Sequence, residues 1–300
     1  VNDAPNLAYY GLHALQHRGQ EACGISAFDN DKLSTVKGEG LVTEVFNQQK
    51  LSKLSGRIAI GHVRYATTGG GGANNVQPFS FHHHTGDFAL AHNGNLVNSR
   101  ELAEYLEVRG SLFHSSSDSE LLAHLVKKDN REDKRIDNII EALNMLEGAF
   151  AFLIMTKNRI YACRDKHGLR PLAIGKLGDG YVISSETCAL DIVGAEYIRD
   201  VEPGEIITID HHGIRSNYYS RYQRHLMCAM EYIYFARPDS DIEGCNVHSF
   251  RKLSGRYLYE QCPTKADVVI GVPDSSISAA IGYSEASGIP YEMGLIKNKY

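Results

Sequence analysis

Residues 57–72, RIAIGHVRYATTGGGG, decide whether a phosphate-binding loop organises this chain. The run RIAIGHV predicts a strand, and a cluster of glycines follows Arg64. A phosphate-binding loop needs Gly-Lys-Ser or Gly-Lys-Thr and then a helix, whereas the glycines at 69–72 lead into ANNVQPF. The stretch therefore disfavours phosphate. It leaves Arg64 either as a surface side chain or as a ligand for a carboxylate, which a guanidinium binds through two parallel hydrogen bonds.

The flanking sequence predicts an α+β fold. Asp3 and Pro5 mark the start of a helix. Short strands are predicted at CGISAF, RIAIGHV and FALAH, and SSSDSE at 115–120 contains a capping-box pattern before a helix. Apolar residues at helical spacing predict a second helix over 136–146, and residues 149–210 are rich in strand patterns. Strands, two helices and more strands indicate a layered sandwich rather than repeated βαβ units.

The last part of the chain has a different pattern. ADVVIGV predicts an apolar strand, PDSS a turn, SISAAIGYSEASG a helix and IPYEMGLI another strand. This order is typical of a βαβ unit of a parallel sheet, with a helix N-terminus just after the first strand. We therefore expect two domains, 1–228 and 229–300.

Composition excludes several classes of function. The 300 residues carry a net charge of −5 and are 43% hydrophobic, so there is no basic footprint for nucleic acid or for an anionic membrane. No apolar run approaches the ~20 residues of a membrane span, and the first residues do not resemble a signal peptide. Six cysteines without a CxxC pair fit a reducing compartment, and we expect a cytoplasmic protein.

Two further stretches carry groups suited to a small polar ligand. In AHNGN at 91–95, Asn93 would offer a side-chain amide and Gly94 a backbone N–H to one point, as an oxyanion hole requires; a hairpin turn is the alternative. Asp118 would bind an ammonium group, although an acidic residue at a helix start also complements the helix dipole. An arginine that binds a carboxylate, an aspartate that binds an ammonium group and an oxyanion hole together describe a site for the amide of a free amino acid, namely glutamine.

At this point a family resemblance can be stated. HRGQE at 17–21, GHVRYAT at 61–67, AHNGNL at 91–96 and SSSDSE at 115–120 resemble, in order and spacing, the N-terminal-nucleophile glutaminase domain of amidotransferases. RPLAIG, SSETCA, VEPGE, MEYIYFARPDS and VVIGVPDSSISAAIGY resemble the amidophosphoribosyltransferase family, in its iron–sulfur-containing branch. The resemblance implies a four-layer αββα glutaminase sandwich followed by the start of an α/β type I phosphoribosyltransferase domain.

The resemblance also implies roles for individual residues. Arg64 would bind the α-carboxylate of glutamine and Asp118 its α-amino group. The side chain of Asn93 and the backbone N–H of Gly94 would form the oxyanion hole. Two more residues, Arg18 and Tyr65, match positions beside the glutamine pocket. The implied reaction hydrolyses glutamine and passes ammonia to phosphoribosyl pyrophosphate (PRPP), giving 5-phosphoribosylamine, the first step of purine synthesis.

The cofactors and partners are likewise implied by the resemblance. Asp274, Ser275 and Ser276 match a loop that meets pyrophosphate, with Ser275 also at its Mg²⁺. Backbone N–H groups at a helix start favour anions, although PDSS is also an ordinary helix cap. Cys228 matches the first ligand of a [4Fe–4S] cluster, which needs four thiolates. Purine nucleotide inhibitors and a homo-oligomer, usually a tetramer, are further expectations.

The nucleophile of the family is a cysteine at the first position of the mature chain, with its own α-amine as base. This sequence begins at Val1, and internal Cys23 has no free α-amine, so we expect Cys23 to be a buried strand residue. We also expect the main PRPP-binding motif to lie beyond Tyr300. The chain is therefore expected to be an inactive fragment of a bifunctional enzyme.

Two alternatives stay open from the sequence. One is another amidotransferase with the same glutaminase, which GVPDSSISAAIGY disfavours. The other is a glutamine-binding module without catalysis. The tract HHH at 82–84 is interpreted as a solvated loop rather than a metal site, because no acidic or cysteine partner stands at ligand spacing. His62 and His92 are expected to orient backbone.

Overall fold

The computed structural model describes residues 3–65, 72–84, 86–126, 135–221 and 224–298. By their contacts the residues fall into two units. The first comprises Val1–Ser185 and Ala189–Met227, and the second comprises Glu186–Cys188 and Cys228–Tyr300. The sequence pattern places a single boundary after residue 228, whereas here residues 186–188 also group with the later segment.

Groups of strands and groups of helices follow one another through the described residues. The helices are α1 Ala4–Ala14, α2 Val42–Val45, α3 Gln48–Leu51, α4 Ser99–Glu107, α5 Ser119–Val126, α6 Arg135–Met145, α7 Thr187–Val193, α8 Val247–Gln261 and α9 Ile277–Ser287, with a π-helix at Glu231–Phe235 and 3₁₀ turns that include Gln16–Arg18 and Ala73–Asn75. The strands are β1 Ala22–Asp29, β2 Lys32–Glu39, β3 Ile58–Arg64, β4 Phe79–Phe81, β5 Phe88–Leu96, β6 Gly148–Thr156, β7 Arg159–Arg164, β8 Ala173–Leu177, β9 Gly180–Ser184, β10 Glu196–Asp200, β11 Glu205–Asp210, β12 Gly213–Tyr218, β13 Asp241–Ile242 and β14 Cys245–Asn246.

The first unit is built on one large sheet and two small ones. The large sheet has six antiparallel strands in the order β12-β11-β7-β6-β5-β4. The small sheets have the orders β2-β1-β3 and β10-β8-β9, so β3 and β9 are edge strands of their sheets. The remaining pair of described strands, β13 and β14, belongs to the second unit.

The layers of the first unit follow from the alternation of side chains along the strands. One face of the large sheet packs on both small sheets. Phe28 and Ile60 of the sheet β2-β1-β3 cluster with Ala91 and Met155 of the large sheet, and Ile174 of the sheet β10-β8-β9 clusters with Ala162 and Ile207. The opposite face packs against α4, α5 and α6, and α1 lies on β1 and β3. Helix, sheet, sheet and helix therefore stack in that order. Each large apolar side chain buried between these layers stabilises the fold by about 1.5–3 kcal/mol.

Residues Asn93-Gly94-Asn95 lie within β5 rather than in a hairpin turn, the alternative considered from the sequence. Their partners on β6 are Ala151, Phe150 and Ala149. A turn signal is overridden here because the pairing of β5 with β6 continues to Leu96, opposite Gly148. Consecutive side chains of a strand point to opposite faces, so His92 faces the helices while Asn93 faces the small sheets.

The capping box predicted at the start of α5 does not form as expected. The carboxylate of Glu120 accepts hydrogen bonds from the backbone N–H groups of His114 and Ser115, rather than from that of Ser117. Ser117 instead donates its N–H to the Ser115 hydroxyl. The acidic residue therefore ties down the loop before the helix.

The second unit contains helices α8 and α9, which pack closely together. The two strands predicted around α9 are reduced, in the described residues, to a single parallel bridge between Val269 and Tyr291. Its hydrogen bonds run from Val269 N–H to the Pro290 carbonyl (2.9 Å) and from Glu292 N–H to the Val269 carbonyl (3.0 Å). The predicted parallel direction is present, but a regular strand is not. Val268, Ile270 and Val272 are exposed within these 300 residues.

None of the helices in the described ranges combines the length and the apolar character needed to cross a membrane.

Candidate active site

A hydrogen bond between two histidines joins β3 to β5. His62 Nε2 lies 3.0 Å from the backbone oxygen of His92. Because a carbonyl oxygen only accepts, His62 carries its proton on Nε2. Burial lowers the pKa of His62 to about 4, so the imidazole is neutral near pH 7. The expected role of His62, orienting backbone, agrees with this contact.

Arg64 ends β3 two residues after His62 and is only 8% exposed. Its Nη1 lies 3.8 Å from Oε1 of Glu21, and the Glu21 N–H donates to the Arg64 carbonyl oxygen at 3.0 Å. Gly19 packs directly on the Arg64 backbone, where an added Cβ would lie 2.5 Å from the carbonyl carbon. The segment HRGQE is therefore held against Arg64, and this brings half-buried Arg18 to the same region.

Tyr65 follows Arg64 and is 68% exposed. Residues 66–71, which include most of the glycine run and the end of the GHVRYAT motif, lie outside the described residues.

Asn93 presents an unpaired amide toward the small sheets. Its Nδ2 atom is buried and has no hydrogen-bond partner among the described residues. The neighbouring Gly94 has a φ of +154°, and a Cβ there would lie 2.0 Å from the carbonyl oxygen of Ala149. Only glycine fits this position, and the backbone at Gly94 can approach a ligand closely.

Asp118 immediately precedes α5 and turns its carboxylate toward β5. Oδ2 accepts a hydrogen bond from the Leu96 N–H at 2.8 Å, and Oδ1 lies 3.5 Å from Nδ1 of His92. Burial acts to raise the pKa of Asp118, but hydrogen bonds from His92, Leu96 and Ser119 hold this pKa below its usual value. The carboxylate is therefore ionised at neutral pH and suited to an ammonium group.

These groups surround the contact between His62 and His92. Arg64 is two residues from the first histidine, Asn93 follows the second, and Asp118 touches the second through its ring. A guanidinium, an ionised carboxylate and an unpaired amide in a partly buried region can bind a zwitterionic amino acid. The same amide can stabilise negative charge that develops on a carbonyl oxygen.

A groove of about 1020 Å³ lies in the first unit beside these residues. It is lined by helix α1, by the edge strands β3 and β9, and by Ala91 and Asn93 of β5. The backbone edges of β3 and β9 are outermost in their sheets, so both can pair with an added extended segment.

The cysteines of the first unit are poor nucleophiles. Cys23 is fully buried in β1, as expected from the sequence, and burial raises its pKa to about 12. Burial raises the pKa of Cys163 as well. A thiol must ionise to attack, so neither residue is suited to catalysis.

The residues assigned to pyrophosphate lie in the second unit. Asp274, Ser275 and Ser276 form the turn before α9, and Asp274 is exposed with its carboxylate 3.8 Å from the Lys297 ammonium. The Ser276 hydroxyl donates to the carbonyl oxygen of Val272. This places the three residues at the N-terminus of an 11-residue helix.

Cys228 is half-buried and its carbonyl oxygen accepts from the Glu231 N–H at the start of the π-helix. Within the described ranges, no group of three or more His, Cys, Asp or Glu side chains could hold a metal ion. This includes the histidines at 82–84, of which His82 pairs with Asp87 at 2.9 Å.

Sequence reasoning missed three residues that organise the site. Glu21 contacts Arg64, Ser119 contacts Asp118, and Gln77 contacts His92. Glu21 and Ser119 stand inside the quoted motifs HRGQE and SSSDSE, so their positions offered a signal. Gln77 offered none, because its contact arises from a loop that the fold brings to β5.

Comparison with known proteins adds a family model and close relatives. Residues 62–191 match the model described as a glutamine amidotransferase domain. The amidophosphoribosyltransferase of Bacillus subtilis (strain 168) is 58% identical over 299 residues, which are 99% of this chain and 63% of the relative. That of Staphylococcus aureus (strain N315) is 47% identical over 300 residues, 99% of this chain and 60% of the relative.

Two solved structures share the fold. One, described as the allosteric regulatory enzyme of purine biosynthesis, has a TM-score of 0.96 at 57% identity and covers 100% of this chain and 64% of its own. The other is glutamine PRPP amidotransferase from B. subtilis complexed with ADP and GMP, with a TM-score of 0.95 at 56% identity, covering 100% of this chain and 65% of its own. The first unit therefore has the α+β fold of an N-terminal-nucleophile glutamine amidotransferase domain. The chain spans under two thirds of the length of these relatives.

Proposed function

We propose that this chain provides the glutaminase part, and the beginning of the phosphoribosyltransferase part, of an amidophosphoribosyltransferase. Glutamine is hydrolysed to glutamate and ammonia, and ammonia displaces pyrophosphate from PRPP to give 5-phosphoribosylamine. The relatives at 58% and 47% identity carry this enzyme name, which supports the proposal.

One observation carries the glutaminase assignment, namely the buried and unpartnered Nδ2 of Asn93. A buried donor without a partner costs about 1–3 kcal/mol, and a fold retains it where a ligand supplies the acceptor. An oxyanion formed from the glutamine amide is such an acceptor. The backbone N–H of Gly94 is the second donor in this assignment.

Charge recognition of glutamine follows from two side chains. Arg64 binds the α-carboxylate and Asp118 binds the α-ammonium group. Arg18 and Tyr65 flank the pocket. Gly19 packs on the Arg64 backbone and Glu21 lies 3.8 Å from Nη1 of the buried guanidinium, so little side-chain freedom is lost when the carboxylate binds.

The nucleophile we propose is a cysteine with a free α-amine on an extended segment in the groove between β3 and β9. The α-amine, with a pKa of about 7.7–8.0, takes the thiol proton as the sulfur attacks the amide carbon. It then gives that proton to the leaving nitrogen, which departs as ammonia. Water cleaves the resulting thioester to release glutamate and restore the thiol. The raised pKa values of Cys23 and Cys163 support a nucleophile of this kind over an internal cysteine.

Magnesium fits the turn before α9 as a cation held through its substrate. Asp274 and Ser275 offer oxygen ligands, and Mg²⁺ commonly binds one or two such groups together with substrate phosphates and water. When bound, Mg²⁺ neutralises charge on pyrophosphate. The N–H groups at the start of α9, with Ser276, contribute positive potential toward the same anion.

An iron–sulfur cluster does not fit the described residues of this chain. Cys228 supplies one thiolate of the four required, and among the described residues no group of three or more His, Cys, Asp or Glu side chains could hold a metal ion. No step of the reaction is derived through a cluster. We further propose inhibition by purine nucleotides, supported by the relative complexed with ADP and GMP. Assembly as a homotetramer is proposed on the family resemblance alone.

The proposal is tested on the protein expressed at its natural length. Phosphoribosylamine formation is measured with glutamine and, separately, with ammonia as the nitrogen donor. In Asn93→Ala the glutamine-dependent kcat should fall about 100- to 1000-fold, the cost of one oxyanion-hole donor, while the ammonia-dependent rate stays unchanged. Asn144→Ala, an exposed position on α6, is the matched control.

The outcomes separate the candidate functions. Equal loss of both rates in Asn93→Ala would contradict the oxyanion role. If the unsubstituted protein binds glutamine without consuming it, a non-catalytic glutamine-binding module replaces the enzyme. Mass spectrometry of the native N-terminus tests the nucleophile, because the proposal requires a terminal cysteine.

A further inference from the structure

We infer that His92 is a positioning residue that holds the carboxylate of Asp118 and the oxyanion-hole residues Asn93 and Gly94 in one arrangement. The inference rests on the glutaminase function proposed above. It assigns His92 no contact with the substrate. The residue acts through the groups on either side of it.

The backbone of His92 is held on both sides. Its N–H donates to Oε1 of Gln77 at 2.7 Å, and its carbonyl oxygen accepts from Nε2 of His62 at 3.0 Å. That carbonyl belongs to the peptide group leading into Asn93. The peptide plane between His92 and Asn93 is therefore fixed, and with it the point at which the Asn93 side chain leaves the strand.

The side chain of His92 reaches the other half of the site. It points to the helix side of the large sheet, where Nδ1 lies 2.9 Å from the Ser119 hydroxyl and 3.5 Å from Oδ1 of Asp118. The ring stacks on Phe152, with centroids 4.1 Å apart and planes inclined by 19°. His92 is only 4% exposed, so water does not compete for these contacts.

The hydrogen bonds form a closed ring. Gln77 accepts from the His92 N–H through Oε1 and donates from Nε2 to the Ser119 hydroxyl at 3.3 Å. The Ser119 hydroxyl lies 2.9 Å from Nδ1 of the His92 imidazole, which closes the ring. The same hydroxyl donates to Oδ1 of Asp118 at 3.4 Å. Asp118 thus cannot shift without disturbing the residue before the oxyanion hole. The same ring of hydrogen bonds therefore positions both Asp118, where the ammonium binds, and Asn93, where the oxyanion binds.

The test compares two ligands on the 300-residue chain by calorimetry: L-glutamine and its analogue without the α-amino group, 5-amino-5-oxopentanoate. In His92→Phe, which preserves the ring stack, glutamine affinity should fall about tenfold, the size of one lost hydrogen bond near a charge. Affinity for the analogue should stay within about twofold, because the analogue has no ammonium for Asp118 to bind.

Further variants separate positioning from folding. His92→Asn keeps a donor near the Nδ1 position and should recover most of the glutamine affinity, whereas His92→Gln moves the donor toward the Nε2 position and should not. His124→Phe, the same substitution on α5 at a side chain that contacts Glu120 and Phe113 rather than Asp118, is the matched control and should leave both affinities unchanged.

Each result decides the matter. An equal loss for glutamine and the analogue in His92→Phe would show a merely structural role and overturn the inference, while leaving the proposed function standing. If the unsubstituted chain binds neither ligand, the proposed function fails and the inference falls with it. If His92→Phe does not fold by circular dichroism, His92→Gln supplies the same comparison.

Discussion

Glu120 is a residue whose charge is stabilised by the loop before α5. The side chain is 2% exposed, and its carboxylate accepts from the N–H groups of His114 and Ser115 and from the Ser115 hydroxyl at 2.7 Å. Burial acts to raise the pKa of Glu120, but these hydrogen bonds, together with His124, lower it to about 2. The ionised form is therefore part of the folded structure next to Asp118.

This pKa predicts a pH dependence of stability. A carboxyl group whose pKa is lowered in the folded state, from 4.5 to about 2, stabilises the fold above pH 4.5 and loses that contribution as the pH falls toward 2. Urea unfolding should therefore show Glu120→Gln less stable than the unsubstituted chain by about 3 kcal/mol at pH 7, with the difference shrinking toward pH 2.

The exposed Glu141→Gln on α6 is the control and should show no such trend. A difference for Glu120→Gln that stays constant from pH 7 to pH 2 would contradict the assignment of the charge.

At the scale of elements, α8 and α9 are brought together by two glycines. A Cβ on Gly255 would lie 1.9 Å from the Ala279 carbonyl oxygen, and one on Gly282 would lie 1.9 Å from the Lys252 carbonyl oxygen. Each helix therefore presents its bare backbone to the other. No side chain fits between them unless the helices separate.

Gly255→Ala should destabilise the second unit by about 2–4 kcal/mol. The clash outweighs the gain in helix propensity, which is about 1 kcal/mol for alanine over glycine. Thermal unfolding of this variant is compared with that of Ser254→Ala, an exposed neighbour on α8. Equal melting temperatures for the two variants would show that the helices are not in the close contact described.

The local sequence pattern was enough to predict the helices and strands whose apolar residues recur with a clear period. Helices α1, α6 and α9 and strands β1, β3, β5 and β6 were predictable from periodicity and caps. Strand β2, KLSTVKGE, was not, because its exposed and half-buried residues mix polar and apolar types and its pairing with β1 comes from the tertiary fold. The strand predicted at ADVVIGV fails for the opposite reason, since apolar composition does not by itself supply a pairing partner.

The ligand-binding residues of the candidate site were predictable from the sequence, but the residues that position them were not. Arg64, Asn93 and Asp118 stand in short stretches whose chemistry is visible in the sequence. The hydrogen bonds that hold these side chains in place could not be predicted from the sequence. Gln77, His92 and Ser119 meet only when a loop, a strand and a helix pack together. Asn-Gly was ambiguous in sequence, and the register of β5 against β6 resolved it in favour of a strand.

At the scale of the whole molecule, burial divides the six cysteines into two classes. Cys23, Cys163 and Cys188 are buried, whereas Cys228 and Cys245 are half-buried and Cys262 is exposed. Burial raises the pKa of all three buried thiols, to about 12 for Cys23 and Cys188. Reaction with a disulfide reagent requires both access and a thiolate, and the buried class has neither.

A chromogenic aromatic disulfide should therefore titrate three thiols of the native 300-residue chain at pH 8, and all six in denaturant. Cys262→Ser should lower both counts by one, whereas Cys23→Ser should lower only the count in denaturant. Rapid reaction of more than three thiols in the native chain would mean that β1, β7 or α7 opens readily, and the burial described for Cys23, Cys163 or Cys188 would be wrong. A count of three would show that the native fold closes over Cys23, Cys163 and Cys188 and keeps all three thiols from the reagent.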